Sequence, residues 1–198
     1  APAIAYRVVG FDCDSKSKLK TERSVDTTGR ILFAEGEGAL EAFLKERSLK
    51  RGDLWFDRPL SLDRRSGARL LFAGRFMAAI SDGFVYQELP FRDRKDLKEA
   101  KIADLAGDGR SALVLQYTER APAGARDVIA VYRFGSDSVR RVFAAETGKS
   151  QGANQLTSKV SLVKRGAATD ILIEPGPAVG FTKEGYREAP AEDMVPVM

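Results

Sequence analysis

The sequence contains no histidine and a single cysteine. Without histidine, the chain lacks the commonest general base and the commonest side-chain ligand for transition metals. The lone thiol, Cys13, cannot form an internal disulfide. Asp12 and Asp14 flank it, and two neighbouring carboxylates disfavour a thiolate, so Cys13 is a poor nucleophile. These absences argue against nucleophilic catalysis, and we expect no catalytic residues.

Long apolar runs are also missing, since none approaches the ~20 residues that span a bilayer. The 198 residues include 32 Lys and Arg against 28 Asp and Glu, which gives a net charge of +4. Charges of both signs scattered along the chain are typical of a solvated surface rather than of a polyanion-binding face. We therefore expect neither a transmembrane segment nor a nucleic-acid partner.

Residues 102–119 carry the most informative pattern in the chain. An Asp/Gly segment, Asp104–Gly109, precedes an apolar run at 112–117 that predicts a buried strand. Gly107 and Gly109 can adopt a positive φ without steric cost, and aspartates can hydrogen-bond to their own backbone. The sequence therefore predicts a tight acidic turn before a strand, with at least one of the two glycines at positive φ. We expect Ala at either glycine to destabilise the fold more than Ala at Asp104 or Asp108.

This stretch resembles the FG-GAP/VCBS type of repeat found in integrin-like β-propellers. Those blades carry a loop of the form D-x-D-G-D-G-x-x-D/E before a strand rich in Leu and Val. The chain keeps Asp104 and the Gly107-Asp108-Gly109 triplet, whereas Ala106 and Ala112 stand at two acidic positions. The resemblance implies a propeller-like fold and a degenerate calcium loop at 104–112, with Asp104 and Asp108 as the remaining ligands. We expect calcium to stabilise the fold little, and no other cofactor is implied.

Most of the remaining chain is predicted to be strand. The exception is 38–47, where Leu40, Phe43 and Leu44 share one helical face that we expect to cover a sheet. The predicted strands are 4–11, 30–34, 69–72, 76–80, 84–86, 102–105, 112–118, 127–134, 139–144, 160–163 and 170–173.

A weak internal repeat organises these strands. The fold class predicted from it is all-β: propeller-like repeats of four-stranded antiparallel sheets with one short helix. The domain would be single, 1–198, with three to four worn repeats and a polar linker at 146–158. The predicted repeat ranges are 4–53, 54–98, 99–147 and 156–190. Another antiparallel sandwich or barrel is the alternative.

The resemblance implies a non-catalytic binding or scaffold module, because repeats of this type mostly mediate protein or carbohydrate contacts. Trp55 and Phe56 are the candidate exposed binding residues. A carboxylate-based enzyme on a β scaffold and a basic polyanion-binding surface remain alternatives, because a fold does not fix a function.

The start of the chain bears on its location. Ala1-Pro2-Ala3 without Met fits cleavage after a small-residue site, and fits a trimmed chain equally well. The first of these readings predicts a periplasmic or secreted protein.

Overall fold

A computed structural model describes residues 4–6, 37–62, 65–122, 124–135 and 137–181. Its strands are β1 (Ile4–Tyr6), β2 (Leu54–Leu62), β3 (Arg65–Ala73), β4 (Phe76–Ile80), β5 (Phe84–Glu88), β6 (Leu97–Ala103), β7 (Ala112–Ala121), β8 (Gly124–Phe134), β9 (Val139–Gln151), β10 (Asn154–Arg165) and β11 (Ala168–Val179). One α-helix, α1 (Glu37–Glu46), and two single-turn 3-10 helices, Arg51–Asp53 and Arg94–Asp96, complete the described elements.

The strands form two antiparallel sheets, which confirms the all-β class. The smaller sheet is a four-stranded meander in the order β2-β3-β4-β5. The larger sheet has seven strands in the order β1-β11-β10-β9-β8-β7-β6.

Helix α1 packs on one face of the four-stranded sheet, as its predicted apolar face requires. Leu40, Phe43 and Leu44 are buried. The Phe43 ring lies centrally, 5.8 Å from the ring of Phe84 and 5.9 Å from that of Tyr86. The buried sheet residues in this cluster are Leu71, Ala73, Ala78 and Ile80.

A left-handed residue ends α1. Ser48 has φ 55°, and the Leu49 N–H donates to the Leu44 carbonyl at 2.7 Å. This is the bonding pattern of a Schellman motif, which satisfies carbonyls that the last helical turn leaves open. Leu49 then packs on the same apolar cluster as Leu44, so the chain turns directly toward β2.

The seven-stranded sheet buries both faces of its strands β7 and β8. These strands run in register from Ala112 opposite Arg133 to Ala121 opposite Gly124. The core on one face consists of Leu105, Ala112, Val114, Ile129, Val131, Phe143 and Ile171. The intervening residues are buried as well: Leu113, Leu115, Tyr117, Val128, Ala130 and Tyr132. Apolar residues at nearly every position are expected of a strand that is covered on both sides.

The expected four-stranded antiparallel sheets are seen for β2–β5, whereas the other described strands form one seven-stranded sheet. Four consecutive antiparallel strands do follow one another from 97 to 151, but they continue into β10 and β11 within one sheet. The predicted polar linker at 146–158 is wrong, because β9 and β10 pair across it from Gln151 opposite Asn154 to Gly148 opposite Thr157. Alternating polar residues suit exposed strand positions, and Gly152, with φ 59°, supplies the turn. Propeller repeats are not confirmed, and the four repeat ranges stay a prediction.

Chain contacts divide the described residues into two compact units. One unit holds 4–6, 90–122, 124–133 and 141–181; the other holds 37–62, 65–89, 134–135 and 137–140. No helix in the described part is long and apolar enough to cross a membrane. The predictions for Cys13, the strand at 30–34 and the chain after 181 lie outside the described residues.

Replacing Phe43 tests the packing of helix on sheet. We expect Phe43→Ala to lower the free energy of unfolding by about 3–5 kcal/mol, because removal of the buried ring loses its contacts with two aromatic neighbours and leaves a cavity. The control Lys45→Ala, at an exposed position of the same helix, should change stability by about 0.5 kcal/mol or less. Urea unfolding of both variants measures the difference, and equal effects would contradict the packing described.

Candidate functional site

The carboxylate of Asp104 organises residues 104–109, which we call the Asp104 loop. Its Oδ1 accepts hydrogen bonds from the backbone N–H groups of Gly107 at 2.7 Å and Asp108 at 3.2 Å. Its Oδ2 accepts from the N–H of Gly109 at 2.8 Å. One side chain thus satisfies three consecutive backbone donors of a turn that no neighbouring strand pairs, which is the local role expected of Asp in such loops.

Asp108 binds a cation from a neighbouring strand. Its Oδ1 accepts from the backbone N–H of Arg110 at 3.0 Å, and its Oδ2 accepts from Nη2 of Arg133 at 3.0 Å. Partial burial raises the pKa of Asp108, but the Arg110 N–H and the Arg133 guanidinium lower it more, so the net pKa falls below its ordinary value. The ionised carboxylate is therefore stabilised by groups of this chain.

The Asp104 loop lies against the turn between β10 and β11. The Leu105 carbonyl accepts from the Thr169 N–H at 3.0 Å, and the Leu105 side chain is buried in the core. Gly107 has φ 72°, and a Cβ built on it would lie 2.6 Å from the carbonyl carbon of Ala167. The loop therefore joins β6 and β7 to the far end of the same sheet. The predicted positive φ is confirmed at Gly107 and also at Gly109, where φ is 79°.

Trp55 and Phe56, predicted to be exposed, are half-buried. Both pack on the buried ring of Phe72: the Trp55 ring lies edge-on at 5.1 Å and the Phe56 ring is stacked at 4.4 Å. Nε1 of Trp55 donates to the Gly74 carbonyl at 3.2 Å. The expected exposure is not seen because β2 is bulged between Leu54 and Phe56, and both rings reach Phe72 on β3. The outer surface of the pair still lines an open hollow of about 330 Å³ along residues 54–58.

Five described carboxylates of the seven-stranded sheet and its connections pair with cations. The pairs are Asp96 with Arg120 (2.7 Å), Asp127 with Lys98 (2.5 Å), Glu119 with Arg126 (2.5 Å), Asp108 with Arg133 (3.0 Å) and Asp170 with Arg165 (3.0 Å). Acid–base catalysis by carboxylates uses two such groups held in environments that drive their pKa values apart. In the described part of the chain, no three potential metal ligands of the Cys, Asp and Glu types cluster.

Two buried tyrosines are equally unsuited to act as bases. Burial raises the pKa of Tyr132 to about 12 and that of Tyr117 still further. Both hydroxyls therefore stay protonated at neutral pH. We read Tyr117 and Tyr132 as core residues of β7 and β8.

Arg133, which contacts Asp108, was not predicted from the sequence to belong to this region. Its only sequence signal is a charge within the apolar strand 128–134, and strand register then places it opposite Ala112, beside the Asp104 loop. The contact of the loop with Ala167 and Thr169 could not be foreseen either, because about 60 residues of chain separate the partners.

A second open hollow, of about 310 Å³, lies where the β7–β8 and β9–β10 turns meet. It is lined by Arg120, Ala121, Pro122, Gly124, Ala125, Ser150 and Gly152. Small residues and backbone dominate this lining, so it offers little side-chain chemistry.

Comparison with known proteins returned no matching family model, curated protein or solved structure. The FG-GAP/VCBS resemblance therefore depends on the residues of the Asp104 loop and the strand that follows it.

Alanine at the two loop glycines should have unequal effects. Gly107→Ala combines left-handed strain with a clash against the Ala167 backbone, so we expect a loss of about 3 kcal/mol in unfolding free energy. Nothing lies within 4 Å of a Cβ at Gly109, so Gly109→Ala should cost about 1 kcal/mol.

This revises the order expected from sequence, because Asp104→Ala removes the acceptor of three N–H groups and should cost more than Gly109→Ala. Chemical unfolding of the three variants measures the order. If Gly107→Ala and Gly109→Ala lost equal stability, the contact with Ala167 would be contradicted.

The lowered pKa of Asp108 predicts a dependence of stability on pH. Its folded pKa lies below the ordinary value for aspartate, so the contribution to stability is fully present above that ordinary value and is lost as pH falls through the folded pKa. Asp108→Asn should therefore lose stability near neutral pH and show a shallower decline in acid. Asp137→Asn, at an exposed position, is the matched control. Parallel acid melting curves for the wild-type chain and Asp108→Asn would refute this assignment.

Proposed function

We propose that this chain is a non-catalytic binding or scaffold module that acts outside the cytoplasm and contacts a protein or a carbohydrate. The observation that carries the proposal is the hollow along β2, lined by residues 54–58. It places Trp55, Phe56 and Arg58 together. Trp and Arg dominate the energetically important positions of protein interfaces, and aromatic residues in general are enriched there.

Arg58 is held in place before any partner arrives. Its guanidinium lies 5.4 Å from the centre of the Phe56 ring, and Nη1 donates to the Asp57 carbonyl at 2.7 Å. Stacking of this kind stabilises the cation and reduces the entropy that binding would otherwise cost. The remaining N–H groups of an exposed guanidinium suit a carboxylate or a sugar hydroxyl, while the ring surfaces suit an apolar side chain or a sugar face.

Recognition at β2 would use side chains rather than backbone pairing. In the described sheet, β2 is an end strand, but Pro59 lacks an N–H group. Register shifts interrupt the strand between Leu54 and Phe56 and between Leu60 and Leu62. Proline and bulges are features that keep a sheet edge from pairing with another strand. A partner would therefore dock on the hollow.

Two further observations support the non-catalytic part of the proposal. Five described acids of the seven-stranded sheet and its connections are paired with Arg or Lys. The Asp104 loop keeps the residue pattern of FG-GAP/VCBS-type repeats, whose propellers mostly mediate contacts. Propeller-type ancestry and an extracytoplasmic location are thus parts of the same proposal.

Charge reversal at Arg58 tests the docking surface. The immobilised chain is first screened against envelope proteins of its source cells and a panel of glycans. For each ligand bound by the wild-type chain, we expect Arg58→Glu to raise Kd at least about tenfold, which corresponds to about 1.4 kcal/mol. Arg92→Glu, the same charge change at an exposed residue that does not line the hollow, should leave Kd within about twofold.

The other functions give different results in the same experiment. Equal weakening by both variants, with affinity that falls steeply with salt, indicates a polyanion-binding surface. Turnover of a glycan by the wild-type chain indicates a carboxylate-based enzyme. Either result overturns the proposal, as does binding that Arg58→Glu leaves unchanged. Melting temperatures of both variants are measured to confirm folding.

A further inference from the structure

The calcium site implied by the resemblance does not fit the residues that fold around the Asp104 loop. Calcium takes six to eight oxygen ligands, several of them carboxylates. Two of the acidic positions are Ala106 and Ala112, and Ala112 is buried in the apolar core of the sheet. An alanine side chain offers no oxygen, so two carboxylates remain.

Those two carboxylates already have partners within the chain. The oxygens of Asp104 accept from three backbone N–H groups at 2.7–3.2 Å. Asp108 accepts from one backbone N–H and from the guanidinium of Arg133. Hydrogen bonds from these donors occupy the lone pairs that would otherwise point toward a cation, and a guanidinium beside Asp108 repels one.

Arg133 is well placed to hold the Asp108 end of the loop. Its side chain is only 21% exposed, and the strand register fixes it opposite Ala112, directly after the loop. The Asp108 side chain is 37% exposed, so salt screens the pair in part, and the fixed position of Arg133 matters as much as its charge. The loop in turn holds the β10–β11 turn, through the bond from Thr169 to Leu105 and the close approach of Gly107 to Ala167.

We propose that Arg133 is a built-in cation that substitutes for bound calcium at the Asp104 loop. Through it, the loop fixes the β10–β11 turn without any metal. The side chain that takes the place of the ion comes from β8, so the loop, β8 and the β10–β11 turn form one connected unit. This inference is independent of the proposed binding function.

The first test uses calcium alone as the probe of the wild-type chain. Calorimetric titration with calcium should detect no binding at millimolar concentration, and the melting temperature should be the same with calcium and with a chelator. Saturable binding, or a melting temperature that rises with calcium, overturns the proposal, because a ligand that prefers the folded state must stabilise it.

The second test measures hydrogen exchange in Arg133→Met. Methionine keeps the length of the side chain and removes the charge. We expect exchange at the N–H groups of Gly107, Gly109 and Thr169 to accelerate at least about tenfold, the equivalent of about 1.4 kcal/mol. Arg140→Met, at an exposed site on β9, is the matched control and should leave these amides unchanged.

Arg133→Lys keeps the test decisive if Arg133→Met does not fold. A lysine restores the positive charge but not the planar guanidinium. In the presence of chelator, we expect the three amides to exchange more slowly in Arg133→Lys than in Arg133→Met. If Arg133→Met does not fold, we expect Arg133→Lys to fold. Amides that exchange at wild-type rates in Arg133→Met, or a lysine variant no better than methionine, would show that the charge of Arg133 does not hold the loop.

Discussion

The carboxylate of Asp104 sets the constraint on which the larger sheet depends. By accepting from three backbone N–H groups, it closes a loop that would otherwise leave those donors unpaired between two strands. The closed loop presents the Leu105 carbonyl to Thr169 and brings Gly107 onto Ala167. A local turn preference thereby becomes a long-range contact, and it links the β6–β7 edge of the sheet to the β10–β11 hairpin.

Ion pairs in the same unit also connect separate segments of the chain. Two of the acids, Asp96 and Asp170, are buried, and an unpaired buried carboxylate would be costly. An arginine or lysine lies within reach of each of the five acids described, as for Asp96 with Arg120 and Asp127 with Lys98. Pairs of this kind connect separate segments of the described chain, and an opposite charge nearby favours the ionised form of an acid. The docking surface proposed at Arg58 does not belong to this set of pairs.

Local patterns were predictable from the sequence, whereas relations between distant segments were not. The helix at 38–47 and the turn at 104–109 follow from short-range periodicity and turn chemistry, which the structure confirms. The joining of β9 to β10 was missed, because polar residues on an exposed strand resemble a linker when read one at a time. Arg133 was missed for a different reason. Its contact with the Asp104 loop depends on the register of β8 against β7, which its sequence neighbours do not indicate.

The Asp104 loop shows why a metal-binding pattern can persist where the metal does not fit. Gly107 and Gly109 meet a backbone requirement, since both have positive φ and Gly107 touches Ala167. Asp104 accepts the hydrogen bonds that the turn requires, and Asp108 accepts one from an arginine. Each retained residue thus has a structural role that does not require an ion. Ala106 and Ala112 stand at positions where an acid would serve only as a metal ligand. In such a loop, the residues that form the turn indicate the fold, whereas the residues that act only as ligands indicate whether a metal binds.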